Sequence, residues 1–462
     1  MPGTRTSSGL ELHLPLRRDD SQPLHRQLER ELRTAIRVGR LTAATAVPSS
    51  RALARQLGVS RGVVVEAYEQ LTAEGYLSSR PGGATTVSRA ATAPATRRQA
   101  PRAERFFVDF RPGRPDLAAF PRSVWLRSLR GVLAECPSER LGYLNGRGMP
   151  ELRAALSAYL DRVRGTVSDS ERILICSGFG QGIGLLAKVL MARGTRRVAL
   201  EDPCLDDTRA TLGGAGVEVV NIPVDESGIR VELLEAAAAD AVIVTPAHHY
   251  PTGGVLPATR RAALIEWAVR RGGLIVEDDY DAEFRYDREP IGAMQGLCPE
   301  RIVYAGTASK ILAPGLRLGW LVLPPALFDG MVSAKRNADL GSPALDQLAF
   351  ADFIERGELD RHLRRMRPIY RGRRDALLAA IDRHLPSLHP VGASAGLHVL
   401  AWLPPELDES AFVRAADTAG IGLAGVTPSR GASGPGGVIF GYGAVDEAAI
   451  EPGIRRIASA VA

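Results

Sequence analysis

The sequence predicts an α/β protein in two parts, a small basic helical head and a large body built on a mostly parallel sheet. Three observations lead there. Residues 1–100 hold 15 arginines against 8 acidic residues, whereas the remaining chain holds 43 basic residues against 44 acidic ones. Within that basic stretch, apolar residues recur at helical spacing on both sides of a glycine-containing turn. Beyond about residue 106, short continuous apolar runs alternate with helix-like segments, as in a sheet covered on both faces.

The chain of 462 residues is too long for one ordinary core, and 45% hydrophobic with 24% charged residues is a globular composition. No apolar run approaches the roughly 20 residues of a membrane span, and no signal-peptide core opens the chain. Cys136, Cys176, Cys204 and Cys298 are widely spaced, without a CxxC pair. They are expected to be reduced thiols in a cytoplasmic protein, not a zinc site or a disulfide framework.

In the head, Leu24, Leu28, Leu32 and Ile36 form one apolar helix face, ended by Gly39. Ser49 can cap a second helix, SRALARQL, and Ser60, after the Gly58-Val59 turn, can cap a third, RGVVVEAYEQLTAEG. Two short helices across such a turn match a helix-turn-helix, whose second helix enters the major groove of DNA. Tyr76-Leu77 and SSRPGGATTV then predict a hairpin with Gly82-Gly83 at its tip. PLHRQL, VPSSRALARQLGVSRGVVVEAYEQLTAEGYL and SRPGGATTV together resemble the winged helix-turn-helix of the GntR family. The resemblance implies DNA contacts from Ser49, Arg51, Ser60 and Arg61, with Arg80 and Gly82 in the wing. Guanidinium suits this work because it bonds phosphate or guanine bidentately. The loop AATAV before Pro48 departs from the family, which usually has glycine and a charged residue there.

Residues 10–88 are therefore expected as the DNA-binding domain and 106–462 as the effector domain. Residues 89–105, rich in Ala, Pro, Thr and Arg, are expected as a flexible linker between them. In the body, RILICSG, RRVALEDP, VEVVNIPV, AVIVTPAH, GGLIVEDDYD, RIVYAGTASK and RLGWLVLP read as strands. Ligands on such sheets gather at the carboxyl ends of the strands, and the unusual residues fall there.

Of the 58 basic residues only Lys188, Lys310 and Lys335 are lysine. Lys310 lies between an apolar strand and a glycine-proline turn, where an amine can attack a carbonyl and a guanidinium cannot. Thr307, Ser309 and Arg317 around it suit a phosphate. So does the glycine-rich helix start 177-SGFGQGIG-184, with its free backbone N–H groups. In 277-EDDYDAEF-284, alternation puts Asp278 and Tyr280 on one face and Glu277 and Asp279 on the other. A buried carboxylate there needs a cationic partner, and a pyridinium nitrogen would supply one. Aldehyde, phosphate and basic ring nitrogen together describe pyridoxal 5′-phosphate. In 245-TPAHHYPTGG-254, the adjacent His248 and His249 have no carboxylate at helical spacing, so no metal is expected. Arg430, in 425-GVTPSRGASG-434, is a candidate anchor for an effector carboxylate.

The order and spacing of these motifs resemble the fold type I aminotransferases. With the head, the whole chain is similar to the MocR-type (GabR-like) regulators. That resemblance implies a large sheet domain followed by a smaller C-terminal α/β subdomain, with Lys310 as the Schiff-base lysine. It implies Asp278 on the pyridine nitrogen and Tyr280 near the ring hydroxyl. Phosphate contacts are implied for Phe179, Gly180, Thr307, Ser309 and Arg317. Tyr250 stands where aminotransferases carry a ring-binding asparagine, and Leu205 where relatives carry tyrosine. The expected function is a DNA-binding regulator that senses an amine, an amino acid or the cofactor itself, as a head-to-tail, domain-swapped homodimer. A working aminotransferase with an added DNA-binding head is the alternative.

Overall fold

The computed structural model describes residues 14–79, 83–89, 106–143, 145–286 and 291–461. The chain divides into two compact units, 1–103 and 104–462. Residues 90–105 of the expected linker, and the wing residues Arg80 and Gly82, lie outside the described residues.

The head contains α1 (Leu24–Arg37), α2 (Ser50–Leu57) and α3 (Arg61–Ala73), followed by the antiparallel pair β1 (Leu77–Ser78) and β2 (Thr86–Val87). The Ser49 hydroxyl accepts the Ala52 N–H and the Ser60 hydroxyl accepts the Val63 N–H, so both serines cap as their positions predict. Gly58 takes the left-handed conformation that ends α2 (φ 64°). Leu28, Leu32 and Ile36 of α1 meet Leu53, Val64, Leu71, Leu77 and Val87 in one closed core. Arg51 and Arg61 stay on the outside.

The body opens with a short strand, β3 (Val108–Asp109). Its main sheet comprises β4 (Ile173–Cys176), β5 (Arg197–Asp202), β6 (Glu218–Asp225), β7 (Gly228–Ile229), β8 (Ala241–Val244), β9 (Leu274–Asp279), β10 (Ile302–Thr307) and β11 (Gly319–Val322). The spatial order is β4-β11-β10-β9-β8-β5-β6-β7. The ladders β10·β9, β9·β8, β8·β5 and β5·β6 are parallel, while β11 runs antiparallel to both its neighbours. Every residue of β4, β8, β10 and β11 is buried, as expected of strands covered on both faces.

The C-terminal part has β12 (His389–Val391), β13 (His398–Trp402), β14 (Ile421–Gly422), β15 (Ala424–Gly425) and β16 (Gly437–Gly441). Four of them form an antiparallel sheet in the order β12-β13-β16-β15, and β14 pairs with β3. No helix among the described residues is long and apolar enough to cross a membrane. The four cysteines are free.

Candidate functional site

The parallel strands deliver their carboxyl ends to one cavity of about 480 Å³. Its wall includes all nine residues singled out for the cofactor: Phe179, Gly180, Tyr250, Asp278, Tyr280, Thr307, Ser309, Lys310 and Arg317. Residues 138 positions apart in the chain converge there because β4, β9 and β10 end on the same edge and the helix Phe179–Ala192 starts beside them.

Lys310 follows β10 in a single helical turn, Ala308–Ile311, capped by the Thr307 hydroxyl. Its Nζ donates to the Gly113 carbonyl at 2.7 Å, so a segment far upstream closes over the amine. Burial pulls the Lys310 pKa below the usual lysine value, opposed by the carboxylates of Asp281 and Asp278. An amine so placed is a better nucleophile at neutral pH than a solvated one.

Asp278, near the end of β9, is 9% exposed. Desolvation, reinforced by Asp279 and Asp281, pushes its pKa well above the usual carboxylate range, against the attraction of Lys310. Among the described residues, none donates a hydrogen bond to its carboxylate or pairs with it. The contrast with its strand neighbours is direct. Asp279 accepts from Arg164 Nε and from the Tyr304 hydroxyl, each at 2.7 Å. Glu277 accepts the Met294 and Gln295 N–H groups at 2.9 and 3.0 Å. The alternation read from the sequence holds: Asp278 and Tyr280 line the cavity, and Asp278 is the one of the three strand carboxylates left without a donor among the described residues.

At the other end, the helix Phe179–Ala192 starts at Gly178 (φ 87°) without a side-chain cap, leaving its first N–H groups for an anion. Arg317 Nη2 donates to the Ser177 carbonyl. A Cβ at Gly178 would lie 2.9 Å from that same nitrogen, and a Cβ at Gly319 would lie 2.9 Å from the Gly178 backbone. Glycine is required at both places for the guanidinium and the helix start to converge. Thr307 donates to Ser309 Oγ at 3.0 Å and accepts the Ser309 N–H at 3.1 Å, which holds both hydroxyls at this end. The residues fit pyridoxal 5′-phosphate on three counts: a buried carboxylate with no hydrogen-bond donor or direct ion pair among the described residues, a half-buried amine, and an uncapped helix start flanked by arginine and hydroxyls.

Four wall residues escaped sequence reasoning: Glu201, Asp207, Asp281 and His398. Burial pushes Glu201 up to about 7, although it accepts from the Thr245 N–H and hydroxyl at 2.8 and 2.7 Å. Asp281 meets His248, and one ligand atom each of His248, Asp281 and His398 lies within 4.8 Å of the others. The sequence rule sought a carboxylate at helical spacing and could not see this one, 33 residues away. His398 Nε2 is already engaged with the Pro251 carbonyl at 3.2 Å.

Leu205 lines the cavity where relatives were expected to place tyrosine, and the Tyr250 ring lies 5.2 Å from that of His398. Arg430 is not part of this wall. Its guanidinium lies over the Trp402 ring (5.4 Å), donates to the Pro435 carbonyl at 3.1 Å, and lines a second cavity with Asp202 and Thr252. In the head, Arg61 Nε donates to Ser50 Oγ at 3.4 Å.

Two family models match this chain, aminotransferase class I and II over residues 116–425 and the gntR family of bacterial regulatory proteins over residues 24–87. It is 34% identical to the probable rhizopine catabolism regulatory protein MocR of Rhizobium meliloti, over 97% of this chain and 95% of that protein. It is 32% identical to the HTH-type pyridoxine biosynthesis transcriptional regulator PdxR of Corynebacterium glutamicum, over 97% and 98%. Among solved structures, the multiple substrate aminotransferase of Thermococcus profundus superposes with a TM-score of 0.72 at 26% identity, covering 78% of this chain and 92% of that one. A kynurenine aminotransferase from Pyrococcus horikoshii, solved with PMP, gives 0.71 at 26% identity, covering 78% and 91%.

Proposed function

We propose, from the premise that this chain belongs to the MocR-type regulators (a gntR-family head on an aminotransferase class I and II body), that it is a transcriptional regulator whose body holds pyridoxal 5′-phosphate. The single observation that carries the cofactor reading is the Asp278 carboxylate, buried in the cavity wall without a hydrogen-bond donor or a direct ion pair among the described residues. A protonated ring nitrogen is the partner such a group needs. When bound, the cofactor supplies an electron-poor ring and a carbonyl carbon that an amine can join covalently.

In this reading Lys310 contributes that amine, and its lowered pKa keeps a larger share of it unprotonated. Asp278 holds the proton on the ring nitrogen, and Tyr280 faces the ring hydroxyl. Arg317, Thr307, Ser309 and the N–H groups at Phe179 and Gly180 take the phosphate, while Tyr250 borders the ring. The signal is an amine, an amino acid or the cofactor itself. It acts by favouring one of two states of the protein that differ in DNA affinity. Arg51 and Arg61, with Ser49 and Ser60 at the helix starts, contact DNA, joined by Arg80 and Gly82 of the wing. A head-to-tail homodimer in the cytoplasm presents two recognition helices to two half-sites.

Similarity of the body to solved aminotransferases favours a second reading, an aminotransferase carrying a DNA-binding head. Multiple-turnover transfer of an amino group to a keto acid would select it. The primary experiment titrates apoprotein with pyridoxal 5′-phosphate and follows both a protein-bound absorbance band and affinity for DNA from upstream of its own gene. Both should change; a protein indifferent on both counts would refute the proposal.

A further inference from the structure

Behind Tyr280 lies a buried pair that the cofactor reading does not use. His248 and Asp281 are 2% and 1% exposed. His248 Nδ1 lies 3.1 and 3.0 Å from the two oxygens of Asp281, and also 3.1 Å from the Tyr280 hydroxyl. The backbone at Gly396 (φ 80°) closes over the pair: a Cβ there would sit 2.0 Å from His248 Cε1 and 2.6 Å from Asp281 Oδ2. The Gly396 carbonyl is held in turn by the hydroxyls of Tyr286 and Tyr442, at 2.6 and 2.7 Å.

One ring nitrogen facing three oxygens has either a hydrogen or a lone pair to offer, never both. The nearer and more negative acceptor is the carboxylate, so the hydrogen on Nδ1 goes to Asp281. His248 Nε2 is buried without any partner among the described residues. An orphaned lone pair there is cheaper than an orphaned N–H, which again puts the hydrogen on Nδ1. With that nitrogen's hydrogen committed, no lone pair remains to accept from Tyr280. The phenol hydrogen is turned outward, into the cavity that Tyr280 lines.

We infer that Asp281 and His248 are positioning residues, whose shared hydrogen bond keeps the Tyr280 hydroxyl available as a donor to the ligand in this cavity. The inference rests on the cofactor reading for the identity of that ligand. It does not depend on that reading for the state of the pair. The titratable groups facing the pair are Asp278, Asp279, Tyr280, Glu283, Lys310, His249, His398, Tyr286 and Tyr442.

The test uses full-length protein loaded with pyridoxal 5′-phosphate, as wild type, Tyr280→Phe, Asp281→Leu and the double variant. The absorbance of the bound cofactor is followed against pH. Loss of the Tyr280 donor withdraws a hydrogen bond from the ring oxygen, so the protonation midpoint rises in Tyr280→Phe. In Asp281→Leu the Nδ1 hydrogen loses its acceptor, the nitrogen accepts from Tyr280 instead, and the midpoint rises again. Losing a nearby anion would by itself lower the midpoint, so the sign separates positioning from simple electrostatics. The double variant should show no further rise beyond Tyr280→Phe. An unchanged or lowered midpoint in Asp281→Leu, or additive shifts in the double variant, overturns the inference.

A second measurement reads the tautomer in the wild-type protein itself. Imidazole 15N shifts of histidine-labelled apoprotein, with His248 assigned by its disappearance in His248→Gln, should report hydrogen on Nδ1 and none on Nε2. Hydrogen on Nε2, or on both nitrogens, overturns the inference. A wild type that takes up no cofactor would sink the cofactor reading instead and leave this tautomer result to decide.

Discussion

Asp278→Asn should have opposite effects on stability with and without cofactor. In the apoprotein, the folded-state pKa of Asp278 is raised well above its usual value, first by desolvation and then by Asp279 and Asp281. Between the unfolded and folded pKa values the native state binds more protons than the unfolded chain, so stability falls as pH rises through that window. At neutral pH the residue therefore destabilises the empty fold, on the order of the 1–3 kcal/mol that an unsatisfied buried polar group costs. The body, residues 104–462, has an unfolding entropy of roughly 0.75 kcal/mol per kelvin from the usual per-residue value. Asparagine, uncharged and nearly the same size, should thus raise the apoprotein melting temperature by about 1–4 °C at pH 7, and by less near pH 4. With cofactor the sign reverses, because a charge-assisted hydrogen bond to the ring nitrogen is lost. At about 1.5–3 kcal/mol, that loss weakens cofactor affinity by roughly 10- to 150-fold. Thermal melts of apo and loaded protein at both pH values, with cofactor titration by absorbance, measure every term. An apoprotein that melts lower after substitution, or an unchanged cofactor affinity, would refute the reasoning.

Three further outcomes follow from other contacts. Arg164→Met strands Asp279 in a site where both side chains are 2% exposed, leaving it, among the described residues, the Tyr304 hydrogen bond alone; denaturant unfolding should show a loss of about 3–5 kcal/mol. Gly178→Ala puts a methyl group 2.9 Å from Arg317 Nη2 and a side chain at φ 87°. It should weaken binding of inorganic phosphate and of the cofactor alike in calorimetry, while pyridoxal without its phosphate binds as before. Arg51→Ala and Arg61→Ala should each lower the slope of log affinity for DNA against log salt by about 0.9. Both arginines are exposed at helix starts in the head, so far-UV circular dichroism should not change.

Much of the site could be read from single segments. Strand alternation separated Asp278 and Tyr280 from Glu277 and Asp279, because the two faces of a β-strand alternate whatever covers them. Ser49 and Ser60 were recognisable as caps, because a cap acts within three residues of itself. Lysine scarcity pointed to Lys310, yet scarcity alone does not identify it. Lys335 is fully buried, more so than Lys310, and pairs with Asp339 in its own helix. What distinguishes Lys310 is the cavity, and the cavity is made of distant segments. Gly113 over Lys310, Asp281 against His248, and Arg164 under Asp279 are separated by 197, 33 and 115 residues. Periodicity reports which face a residue occupies, never which far segment packs on that face. The antiparallel course of β11 was hidden for the same reason: an apolar run has the same composition in either direction. Arg430 was readable only as a candidate carboxylate anchor, because the Trp402 ring beneath it is 28 residues away.

The covalent partner of the cofactor tests the central proposal most directly. The chain contains only Lys188, Lys310 and Lys335 as lysines, and of these only Lys310 lines the cavity. Protein loaded with pyridoxal 5′-phosphate, reduced with borohydride and mapped by peptide mass spectrometry should show a pyridoxyl group on Lys310 alone. A label on Lys188 or Lys335 in its place, or no label on any peptide, would contradict it.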